Sequence, residues 1–104
     1  MIEVTRTSLG TITLDPKALE QLVRHAAEGV DGARVIRSGR GLDIAVGEDG
    51  AATAAVVLTA PRGAVLPELG RHVQARIYEA LADMLDAPPA RVDVTVEGVR
   101  VEEA

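Results

Sequence analysis

Chemistry at neutral pH is carried by imidazoles, thiols, activated hydroxyls, paired carboxylates or clustered cations. The chain has two histidines and no cysteine. This removes thiol nucleophiles, thiolate metal sites and disulfides together, and favours an intracellular location. His25 and His72 fall on separate predicted helices, one at the edge of an apolar stripe and one off it. A shared metal site would need the helices to align them and carboxylates to complete the shell, and no spacing in the chain provides that. The only serines, Ser8 and Ser38, sit in turn-like stretches outside any nucleophile-elbow pattern. Glu79, Asp83 and Asp86 read as a solvated helix end. The expectation is no catalytic residue, no metal and no cofactor.

Glycine loops are the other source of sites. "GEDG", Gly47 to Gly50, matches the letters of a backbone-gripping GXXG loop. Its middle residues are acidic, however, and it lies between two predicted strands, so a hairpin turn at Asp49-Gly50 is expected. "GRG" at Gly39 to Gly41 precedes a strand, whereas a phosphate loop precedes a helix. "TAPRGAVLPEL" is the better anion candidate, since it leads through Arg62 and Gly63 to a helix start at Pro67. It lacks the Walker pattern and its lysine.

The 104 residues suit a single domain, 1–104. Hydrophobic residues make up 47%, yet there is no Phe or Trp and one Tyr. The core must therefore be built from Val, Leu, Ile and Ala. A net charge of −5 with no basic stripe argues against nucleic acid as a partner. No stretch approaches the roughly 20 apolar residues that cross a bilayer, and direct membrane insertion is not expected.

The elements that position these residues follow from periodicity. Thr11 to Leu14 alternates as a strand after a turn at Ser8-Leu9-Gly10. Asp15 is a good N-cap and Pro16 suits the first helical position, opening a helix with Leu19, Leu22, Val23 and Ala26 on one stripe. Three strands are expected next: Ala33 to Arg37, then Leu42 to Val46 after a turn at "SGRG", then Ala51 to Ala60 after "GEDG". The last of these is apolar on both faces and so central in the sheet. A second helix opens at Pro67, carries Leu69, Val73, Ile77, Ala80, Leu81 and Met84 inward, and is stopped by Pro88-Pro89.

The final strand, "VDVTVEGVRV", changes parity: Val92, Val94 and Val96 are followed by Val99 and Val101. An extra residue must be absorbed, and glycine accepts the backbone angles most easily, so a bulge is predicted near Glu97-Gly98. Val99 and Val101 then return to the buried side or meet a partner.

The order β-α-β-β-β-α-β predicts an α+β two-layer sandwich, a mostly antiparallel sheet with two helices on one face. The reverse face, with Asp43, Thr53, Ala55, Val57, Thr59, Asp93 and Thr95, is left for solvent or another protein. Ala55, Val57, Thr59 and Thr95 are the candidate partner-binding residues, and Tyr78, the sole aromatic, caps the core edge or joins them.

"TITLDPKALEQLVRHAAEGVDGARV", "VLPELGRHVQARIYEALADML" and "VDVTVEGV" together resemble the alkaline shock protein family of bacterial envelope stress response proteins. The matching features fall on Gly32, Leu66-Pro67-Glu68, Val73-Gln74, and Val92, Val94, Val96, Gly98 and Val99, and the likeness spans about residues 10 to 101. Asp31-Gly32-Ala33 replaces the usual Pro-Gly-Val, and "APPA" before the last strand is a further departure. The resemblance implies a non-enzymatic protein-interaction module in cell-envelope homeostasis. It would be cytoplasmic or held peripherally at the inner face of the membrane, and its partners would be itself, as a homo-oligomer, or a membrane-anchored relative. The alternative class is a small nucleic-acid or ribosome-associated α+β module.

Overall fold

The computed structural model describes residues 2–37 and 39–100. Its elements are β1 (Ile2–Thr7), β2 (Gly10–Leu14), α1 (Pro16–Glu28), β3 (Arg34–Val35), β4 (Leu42–Val46), β5 (Ala52–Pro61), α2 (Leu66–Leu85) and β6 (Arg91–Arg100). Helix α1 starts as its sequence dictates: the Lys17 N–H donates to Asp15 Oδ1 at 2.9 Å, and Pro16 occupies the first turn. Helix α2 ends at Asp86, which adopts the left-handed conformation with φ 53° before Pro88-Pro89 bar continuation.

Strand β5 is central. Val57 directs both main-chain groups to one side, its N–H donating to Gly41 O and its carbonyl accepting from Ile36 N–H. Alternate residues must then bond on the other side, where β6 runs parallel to β5 along its length, from Thr53↔Arg91 to Pro61↔Arg100. β3 and β4 share the first side, pairing antiparallel with β5 at Arg34↔Thr59 and at Leu42↔Val56 through Val46↔Ala52. Both helices cover one face of this sheet. Their buried Leu19, Val23 and Ala27, and Leu69, Val73, Ile77 and Leu81, meet Ala52, Ala54, Val56, Leu58 and Ala60 of β5 in an all-aliphatic core. Each fully buried Val, Leu or Ile contributes about 1.5–3 kcal/mol relative to exposure.

The expected α+β sandwich holds, with three differences in detail. "SGRG" does not reverse the chain: β3 and β4 run in the same direction along β5, and residues 36–41 make an excursion out of a single edge strand. The last strand is parallel to its neighbour, because β5–α2–β6 is a strand–helix–strand crossover. The first expected strand, β2, pairs among the described residues only with β1, in a separate two-stranded ribbon. The bulge lies where the parity change required it: Val96 pairs with Leu58 and Gly98 with Thr59, leaving Glu97 as the extra residue. Val99 consequently sits opposite Ala60, on the helix side, but remains 45% exposed. Val101 and Ser38 lie outside the described residues.

Candidate functional site

The open face of the sheet is built by three strands whose register sets side chains in rows. Ala55 stands between Asp43 on β4 and Asp93 on β6. One row below, Thr53 stands between Ala45 and Arg91, and one row above, Val57 pairs with Thr95. Thr53, Ala55 and Thr95 are exposed, whereas Val57 and Thr59 are half-buried. The sheet therefore brings together four of the five residues singled out from sequence: Ala55, Val57, Thr59 and Thr95. Tyr78 is not among them. It is 45% exposed on α2, in the layer on the opposite side of the sheet.

Two straps that periodicity did not reveal cover the upper part of this face. Arg40, in the excursion, donates to Glu97 at the β6 bulge. Since β5 separates these two edges and the helices fill its other side, the pair must cross the open face beside Val57. Arg100 donates to Thr59 Oγ1 at 2.7 Å, to Thr59 O at 2.9 Å and to Gly32 O. These bonds explain the partial burial of Val57 and Thr59 and move the accessible centre of the face to Ala55. The sequence signal for Arg100 was available: past a bulge at Glu97, its parity places it on the face of Thr59.

At the lower end, Arg91 Nε lies 2.8 Å from Asp93 Oδ2, both well exposed. An exposed pair of this kind contributes little stability, about 0–1 kcal/mol. It does reduce the negative charge beside Ala55, leaving Asp43 as the row's uncompensated carboxylate among the contacts described. The surface is thus a small apolar and threonine patch with a border of mixed charge, in which Asp93 and Glu97 are paired with arginines and Asp43 is not.

The other candidates settle into structure. "GEDG" forms the β4–β5 turn, with Gly50 at φ 83° and Asp49 Oδ1 accepting from Ala51 N–H at 3.1 Å. At the α2 N-terminus, Asp31 and Glu68 line a cavity of about 290 Å³ with His72 and Leu69. Two carboxylates there oppose an anion near Arg62. His25 and His72 line adjoining cavities between the helices, which share Gly29, Arg76 and Glu79. Among the described residues, no set of three or more His, Asp or Glu side chains is placed to hold a metal. No helix among them is long and apolar enough to cross a membrane.

No protein-family model matches the chain. It is similar to Spy1535, an uncharacterized protein of Streptococcus pyogenes serotype M6, at 25% identity over 111 residues, covering 95% of this chain and 86% of that protein. Among solved structures it is similar to a doubly substituted MamM CTD, with a TM-score of 0.57 and 13% identity over 83% of this chain and 95% of that one. The copper form of the MamM CTD gives a TM-score of 0.54 and 12% identity over 86% and 91%. At such identities the shared property is the fold, two helices layered on one face of a small sheet.

Proposed function

We propose that this chain is a non-enzymatic protein-interaction module of the alkaline shock protein family, acting in cell-envelope homeostasis by docking its open sheet face onto a membrane-anchored partner. The observation that carries this reading is the Asp43–Ala55–Asp93 row, a small apolar centre left uncovered between carboxylates while the opposite face of the same strand is fully packed. Such a surface accepts an apolar side chain flanked by arginine or lysine. The face therefore suits a protein that presents an apolar side chain to Ala55 and a basic group to Asp43. The net charge of −5 weighs against a nucleic-acid or ribosomal role.

The test is capture of partners by the tagged chain from membrane and cytosolic fractions of the native cell, wild type beside Ala55→Arg. The expected outcome is a partner in the membrane fraction that is lost with Ala55→Arg, while the circular dichroism spectrum is unchanged. A folded Ala55→Arg protein that retains every partner would remove the open face from consideration.

A further inference from the structure

A two-stranded ribbon with nothing packed on it is marginal in water. β1 and β2 form a two-stranded ribbon that pairs with no other strand among the described residues. Residues 6–13 are all exposed, Leu9 at 97% and Ile12 at 54%. Leu14, at its base, is partly buried against the core. The radius of gyration is 15.0 Å and the longest dimension 58 Å, against 23 and 18 Å across. A compact domain of about 100 residues has a radius near 13 Å. The ribbon is an arm whose residues 6–13 are all exposed, and pairing with a further strand would stabilise it.

The chain's strand edges indicate what that is. Exposed edges invite pairing, and proteins blunt them with charge, bulges or side-chain caps. The outer edge of β3/β4 is interrupted by the excursion, and the outward Val35 N–H donates to Glu28 Oε2 at 3.1 Å. On β6 the bulge at Glu97 breaks the edge, and the outward carbonyl of Val92 accepts from Gln74 Nε2 at 2.9 Å. β1 contains Glu3 and Arg6 and a register shift between Glu3 and Thr5. β2, "GTITL", has no charge, no proline and no bulge. It is the one strand among the described residues whose free edge carries none of these devices.

We propose that β2 is a self-association edge, pairing antiparallel with β2 of a second copy about a two-fold axis at Ile12. The order across the joined arms is then β1-β2-β2-β1. In this register Ile12 faces the partner's Ile12, and Thr11 faces the partner's Thr13, so an apolar contact and threonine pairs replace solvent-exposed groups. An identical uncharged segment is the natural complement, since it brings its own unguarded edge and no repulsion. The surface is separate from the open face and does not depend on the docking described above.

Because the chain has no cysteine, Ile12→Cys gives a clean probe. Directly opposed residues lie about 4.5–5.5 Å apart between Cα atoms, within the range a disulfide spans. Expected results are a covalent dimer of Ile12→Cys under mild oxidation, no such dimer for Tyr78→Cys, and a light-scattering mass that doubles with concentration in the wild type. Thr11→Lys with Thr13→Lys, both on exposed arm residues, should abolish the doubling while leaving the circular dichroism spectrum unchanged. A wild-type chain that stays at single-chain mass, equal cross-linking at Tyr78→Cys, or a dimer that survives the lysine pair would each overturn the arm pairing. Doubling that survives the lysine pair but is lost with Ala55→Arg would assign self-association to the open face, leaving the interaction-module reading standing and the arm pairing refuted.

Discussion

The two faces of β5 carry alternate residues of one ten-residue strand and differ in almost every physical respect. On the helix side, Ala52, Ala54, Val56, Leu58 and Ala60 are between 0% and 3% exposed. On the other side, Thr53 and Ala55 are exposed and Val57 and Thr59 only half-buried, under straps from Arg40 and Arg100 rather than under a packed layer. Apolar character alone does not separate them, since Ala55 and Val57 are as apolar as their neighbours. What separates them is the cover available: two helices supply aliphatic side chains to one face, and nothing among the described residues supplies an equivalent layer to the other. A strand that is apolar on both sides thus identifies a buried strand only when the protein has two layers to bury it.

Four substitutions sharpen this contrast. Leu58→Ala, on the covered face, should cost about 2–5 kcal/mol in equilibrium denaturation, whereas Thr59→Ala on the open face should cost far less; comparable losses would mean that the faces are packed alike. Gly41→Ala should cost about 1–3 kcal/mol, because an added Cβ would come within 2.1 Å of the Ile36 carbonyl oxygen and force the excursion to move. The loop carrying Arg40 would move with it, so amide exchange at Val57 should rise. The fourth, Gln74→Ala, should cost about 1 kcal/mol by leaving the Val92 carbonyl without its side-chain donor, and unchanged stability would show that water replaces it without loss.

Local chemistry was legible in the chain, and relations between distant segments were less so. Asp15-Pro16, Asp49-Gly50 and the parity change at Glu97 each act over a few residues, and each formed the cap, turn and bulge it specified. "SGRG" shows that the chain leaves the ladder, but turn residues do not encode whether it reverses; that was decided by β5 offering one side to both β3 and β4. The parallel course of β6 follows from α2 crossing between two strands of one sheet, a connection rule rather than a residue preference. The separation of the arm was not readable, because Ile12 and Leu14 alternate as they would in a sheet strand. The candidate face was largely legible, as four residues of one parity; Tyr78 could not be assigned to a layer from the helical wheel alone.

The most direct measurement is equilibrium unfolding of Ala54→Arg and Ala55→Arg side by side. These neighbours on one strand differ in side: Ala54 is 3% exposed in the core and Ala55 lies open between Asp43 and Asp93. A guanidinium at 54 would be a buried unpaired charge, and loss of the cooperative transition is expected. At 55 it meets solvent and carboxylates, and stability within about 1 kcal/mol of wild type is expected. Equal destabilisation of both variants would contradict an uncovered face on β5.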